Sequence, residues 1–184
     1  MDRRRFVRSL IAAGLAPGCW RPPQARPDTA AAERLLDLMN RRLGLMADVA
    51  RAKWNTRSPI DDPPRERALL AAVAEAGREV GLDPADTTAF FAAQIEAAKA
   101  VQRECFREWE AAGRRPFPDA PDLVREMRPK IDAVGRELLT GLKSYLDTGR
   151  LTRVEVSALA EPRLTGDGVT PDARSLAVRP LARD

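Results

Sequence analysis

Apolar residues recur along this chain at three- and four-residue steps, in stretches divided by proline- and glycine-bearing breaks. Leu35, Leu38, Met39, Met46 and Val49 form one such stripe. It predicts a first helix from Asp28 or Thr29, either of which can cap it, to about Trp54. Asp62 followed by Pro63 marks the next start, an acidic cap ahead of a first-turn proline. Leu69, Leu70, Val73 and Val80 carry that helix to Gly81. Asp83-Pro84 repeats the signal, and a third helix turns Phe91, Ile95, Ala98, Val101, Cys105, Phe106 and Trp109 inward before ending near Gly113. After a proline-rich loop from Arg114 to Pro121, a fourth helix begins near Asp122, with Pro129 set to kink or divide it. Ile131, Val134, Leu138, Leu142 and Tyr145 are its stripe, and Gly149 ends it. From Arg150 the periodicity fades, which predicts a poorly ordered tail over 150–184 with at most a short helix. The expected fold is all-α: an irregular bundle of three long helices plus shorter ones, in one domain over 28–149.

Three polar residues break the stripes. Arg42 and Lys53 fall on the apolar face of the first helix. Their spacing leaves them about 20° out of line and about 16 Å apart along the axis. A cation on a core face is costly unless paired, so the ordinary outcome is snorkelling or an internal ion pair. Two in register, followed by a helix start carrying Arg65 and Glu66, instead suit a pocket for a small dianion. Gln102 lies in the inward stripe of the third helix, where a buried amide ordinarily bonds a neighbouring helix.

Composition narrows the chemistry. The 184 residues suffice for one core, and few are aromatic, which favours helices over sheets. With no histidine and two cysteines, a zinc site and a histidine-based catalytic triad are excluded. The glycines match neither dinucleotide nor phosphate-loop patterns. The net charge of +4 comes largely from Arg3, Arg4, Arg5 and Arg8 set against Asp2, so the folded part carries little basic excess and nucleic acid is not an expected partner. No metal or cofactor is expected either. The candidate set of cations, one acid and one amide lacks a nucleophile–base pair. It suits binding a polyanion and stabilising charge within it.

Residues 1–27 read as an export signal and linker. A basic segment precedes the apolar run Phe6 to Ala16, too short for a stable membrane span, and Arg21 to Pro27 holds three prolines. Asp2-Arg3-Arg4-Arg5-Phe6-Val7-Arg8 is similar to the twin-arginine motif, departing from it at Asp2, Val7 and Arg8. Pro17 and Leu15 speak against a lipoprotein box at Cys19. A periplasmic or secreted location follows. Cys105, on an apolar face, reads as a small core residue.

Arg42, Lys53-Trp54, Pro59-Ile60-Asp61-Asp62 and Arg65-Glu66, together with the block Phe90 to Gln102, resemble the all-helical chorismate mutases of the secreted subclass. The resemblance covers about residues 30 to 146. It implies the type II fold and the cofactor-free intramolecular rearrangement of chorismate to prephenate, a step of aromatic amino-acid biosynthesis. It also implies a complete pocket from one chain, often within a homodimer. Arg42 matches a carboxylate-gripping arginine, and Lys53 the lysine shared between carboxylate and ether oxygen. Asp62 matches a position whose main chain faces the substrate hydroxyl, although its side chain serves equally as a cap. Arg65 and Glu66 match an Arg-Glu pair, Glu66 accepting from the hydroxyl, and Gln102 matches the group completing the ether-oxygen site. For the second carboxylate the expected residue is Arg136, in the block that matches best, with Arg128 on the apolar stripe as the alternative. Ala98 departs from the Ser or Thr often found there. The competing readings are an isochorismate–pyruvate lyase, which uses a related fold and similar cations, and a non-catalytic helical binding module.

Overall fold

The chain is described by a computed structural model over residues 29–183. The export-signal reading of residues 1–27 and the possible cap at Asp28 lie outside the described residues. Helix α1 (Thr29–Gly44) and helix α2 (Met46–Thr56) share the first stripe, but the expected single helix is divided at Leu45. The break follows Gly44, a weak helix former. Leu45 keeps a right-handed helical backbone, and its carbonyl still accepts from Val49 N at 3.1 Å, so the stripe passes through.

Helix α3 (Pro63–Glu79) and helix α4 (Pro84–Ala111) start where the Asp-Pro pairs place them. The Asp62 carboxylate accepts from Arg65 N at 3.2 Å, and that of Asp83 from Ala85 N at 2.8 Å. Between them Gly81 takes a positive φ of 77°, which ends α3 and turns the chain. Pro129 divides the fourth predicted helix: a single π-helical turn (Leu123–Met127), capped by Asp122, leads into helix α5 (Arg128–Thr148), with the proline in its first turn. The all-α expectation holds.

The core lies where α1 packs on α5 and where α1 and α2 meet α4. Leu35, Leu36, Met39 and Leu43 of α1 meet Leu138, Leu142 and Tyr145 of α5, with Phe90, Phe91 and Val101 from α4. Helix α3 is the outlier. It packs on α4, yet Gly77 is its one buried residue. Among the described residues no helix is long and apolar enough to cross a membrane.

The tail corrects the expectation of poor order. It forms helix α6 (Arg153–Ala160), helix α7 (Pro171–Val178) and a closing 3-10 turn (Arg179–Leu181). Thr152 and Glu155 make a reciprocal capping box, and Thr170 caps α7. Val156 and Ala160 of α6 and Ala173 and Ala177 of α7 are buried at four-residue steps, and Leu151, Leu164 and Leu181 are buried beside them. Polar ties fix the segment to the bundle. Tyr145 Oη donates to Leu181 O at 2.6 Å and accepts from Leu151 N at 2.9 Å, and Gln94 Nε2 donates to Ala177 O at 3.0 Å. Gly168, at φ +74°, lies so close to α4 that a Cβ there would sit 2.8 Å from Cys105 Sγ.

Candidate active site

Arg42 stands in an apolar stripe and must find acceptors without leaving it. It is 5% exposed, and its Nη1 donates to the Gln94 carbonyl of α4 at 2.9 Å. No carboxylate pairs with it among the described residues, and burial pushes its pKa down to about 10, which keeps it charged at neutral pH. Lys53 projects from the same face of α2, half-buried, and its Nζ donates to Ile60 O at 2.7 Å. Burial lowers its pKa below the ordinary lysine value. The nearby carboxylates of Asp62, Asp61 and Glu66 resist that, and Arg128 adds to it. From α4, Gln102 is 4% exposed. Its Nε2 donates to Ala98 O at 3.1 Å and lies 3.8 Å from Met46 Sδ, while its Oε1 has no hydrogen-bond partner.

The facing wall is the loop after α2 and the first turn of α3. Asp62 caps that turn with its side chain, and Glu66 Oε1 accepts from Asp62 N at 3.2 Å, so cap and acid hold each other. Glu66 Oε2 accepts from Lys99 Nζ of α4 at 3.2 Å. Lys99 also pairs with Asp61 at 3.3 Å and Glu96 at 2.6 Å. Burial works against its charge, but these three carboxylates outweigh burial and raise its pKa. Burial likewise works to raise the pKa of Asp61, yet Lys99 and Arg103 hold it below the usual carboxylate range. Lys99 was not singled out from the sequence. Two of its three partners, Asp61 and Glu66, lie more than thirty residues away along the chain, and the third, Glu96, is an ordinary pair within one helix turn.

Between the walls is a hollow of about 510 Å³. It brings together Arg42, Lys53, Asp62, Arg65, Glu66 and Gln102 of the expected set, and adds Lys99 and Arg128. Ala98 contributes a methyl group to its lining, so no hydroxyl is offered at that position. Arg136 is elsewhere. It is exposed and lines a second hollow of about 390 Å³ beyond Arg42 and Arg65. Cys105 lines neither hollow, and burial pushes its thiol up to about 11, so it is inert core. The lining of the larger hollow thus offers cations, one amide and carboxylates, and neither histidine nor thiol. Such a lining suits a small polyanion and the stabilisation of charge developing within it.

That description fits one family of helical isomerases. Residues 30–103 match the family described as chorismate mutase type II. The chain is 32% identical over 134 residues to the secreted chorismate mutase of Mycolicibacterium smegmatis, covering 73% of each. It is 28% identical to the monofunctional chorismate mutase of Enterobacter agglomerans over 71% of this chain and 74% of that one. Among solved structures it is similar to the chorismate mutase of Burkholderia thailandensis, with a TM-score of 0.74 and 33% identity over 83% of this chain and 99% of the other. The chain belongs to the type II chorismate mutase family.

Proposed function

We infer that this chain converts chorismate to prephenate, the isomerase activity of its family, and that the larger hollow is where it does so. The observation that carries the reading is the convergence of Arg42, Lys53, Arg65, Glu66, Gln102 and Arg128 on one hollow. The reaction is an intramolecular rearrangement without proton transfer, so the protein must bind, orient and stabilise charge. Arg42 and Arg128 fork onto the two carboxylates and hold the compact conformer. Arg65 adds charge at the rim. Lys53 donates to the ether oxygen, where negative charge grows as the bond breaks. Its partner there is Gln102, whose amide has two N–H bonds and uses one on Ala98 O. The weak contact with Met46 Sδ is one that a stronger acceptor replaces. Glu66 accepts from the ring hydroxyl. Both its oxygens already accept one hydrogen bond, but each has a second lone pair.

The choice of Arg128 over Arg136 supports a direct test. Arg128→Ala is expected to lower kcat/KM for chorismate by roughly ten- to a hundredfold, the loss of one charge-assisted fork. Arg136→Ala is expected to change it far less. The reverse order returns the second carboxylate to Arg136. Product analysis that found free pyruvate in place of prephenate would overturn the mutase reading itself.

Two further expectations belong with this reading. Residues 1–27 direct export to the periplasm or beyond, in keeping with relatives named secreted chorismate mutases, and the route is twin-arginine. A homodimer, if formed, leaves the site self-sufficient, because residues of one chain line it.

A further inference from the structure

The second hollow has its own chemistry. Helix α3 turns Leu69, Val73 and Ala76 toward α5 without burying any of them fully, and Phe91, Ile131 and Leu139 close the far side. The volume of about 390 Å³ lies in the range of small-molecule pockets. Three guanidiniums border these apolar walls: Arg42, Arg65 and Arg136, against the single carboxylate of Asp132. No side chain pairs with the guanidiniums of Arg42, Arg65 or Arg136 among the described residues. Arg42 is more than nine-tenths buried, and its one hydrogen bond is to the Gln94 carbonyl. A desolvated cation with spare donors, facing apolar walls, selects an anion with a hydrophobic body.

We propose that this second hollow binds a small hydrophobic monocarboxylate of the arylalkanoate class, its carboxylate on Arg136 and the shared arginines, its ring against Val73 and Phe91. Chorismate itself is not the fitting ligand. It carries two carboxylates, a hydroxyl and an ether oxygen, and the lysine, amide and glutamate that answer them line the other hollow. Arg42, Arg65, Leu69 and Ile131 border both hollows. An occupant of the second therefore draws on the cations that grip chorismate, and the two ligands oppose one another. Binding itself does not depend on chorismate chemistry; the antagonism alone rests on the mutase reading.

Gly135 supplies the test. It lines the second hollow and not the first, and a Cβ added there meets nothing within 4 Å. Gly135→Leu fills the space with a residue that favours helix. The probe is 3-phenylpropanoate, with its uncharged amide as control, titrated by calorimetry into wild type, Gly135→Leu and Arg136→Gln, with folding checked by circular dichroism. The expected result is binding of the acid and not of the amide, weakened at least tenfold by each substitution. Gly135→Leu should keep wild-type chorismate turnover and lose inhibition by the probe. Equal binding of acid and amide overturns the proposal, as does unchanged binding to both variants, which would put the probe in the chorismate site. Collapse of turnover in folded Gly135→Leu also overturns it, since the hollow would then be room that the mutase reaction needs. Absence of mutase activity in wild type would sink the functional reading while the calorimetry still decides this one.

Discussion

The two walls of the larger hollow are built in opposite ways. Arg42, Lys53 and Gln102 stand on helices whose other residues form the core, and their surroundings are dry enough to lower both cation pKa values. Asp62, Arg65 and Glu66 stand on a helix with one buried residue, held by a cap and by ion pairs to Lys99. The first wall puts charge in a low dielectric, where each interaction with a developing charge is strong. The second is placed by partially solvated contacts, each of which contributes little alone. Chemistry should therefore depend on the first wall, and substrate capture on the second.

The largest effect that tests this contrast is expected for Lys53→Ala. In the role proposed for it, a hydrogen bond to the ether oxygen strengthens only as the bond breaks, so its loss would fall on the transition state. Loss of one such donor typically costs about a hundred- to a thousandfold in kcat. Stability should change little, because Lys53 is half-buried and its one hydrogen bond is to the Ile60 carbonyl. Turnover near wild type in a folded Lys53→Ala protein would end the claim that this wall does the chemistry.

The same contrast separates what could be read in the sequence from what could not. Arg42, Lys53 and Gln102 announced themselves as polar residues inside apolar stripes, a signal that survives even the break at Leu45 because the backbone there stays helical. Asp62-Pro63 and Asp83-Pro84 gave the helix starts because capping is local chemistry. Lys99 gave no such signal: it works through Asp61 and Glu66, which only the fold brings near. Between Arg128 and Arg136, the apolar stripe favoured the first and block resemblance the second; the hollow contains the first. The tail was misread because α6 and α7 are eight residues each, too short for a period to show: each buries one four-residue step, Val156–Ala160 and Ala173–Ala177, and three of those four residues are alanines.

A smaller effect is expected at Gln102, again on the dry wall. An amide donates at any ordinary pH, so the wild-type rate should be flat through neutrality. It should fall as pH climbs toward the ordinary lysine range, since Lys53 must be protonated to set a positive charge against the developing negative one, and its pKa lies below that value. Gln102→Glu can donate only when protonated. Burial raises the new acid's pKa, and Lys53, Arg42 and Arg65 lower it. The sign is fixed either way: activity is retained on the acid side and lost as the carboxylate forms, opposite an oxygen that is becoming negative. Paired pH–rate profiles for chorismate turnover decide it. Profiles that overlay would make Gln102 a structural amide.

The smallest effect is expected on the loosely held wall, at Gly77. Glycine to alanine inside a helix ordinarily stabilises, by up to about 1 kcal/mol. Here a Cβ would lie 2.6 Å from Thr87 Oγ1 and 2.9 Å from its Cγ2. Thr87 is fully buried, β-branched and tied by its hydroxyl to Asp83 O at 2.8 Å, so it cannot easily turn aside. Helix α3 must then move off α4, and overpacking of this kind costs about 1–3 kcal/mol. Arg65 and Glu66 ride on the same helix about three turns away, so a shift at Gly77 reaches them diluted. Gly77→Ala should lower stability and raise KM for chorismate a few-fold while kcat stays near wild type. Adding Thr87→Ala removes the obstacle, so the double variant should recover KM, a coupling that neither change shows alone. If Gly77→Ala proves stabilising with KM unchanged, the contact with Thr87 does not set the position of α3, and the two walls are more alike than their burial indicates.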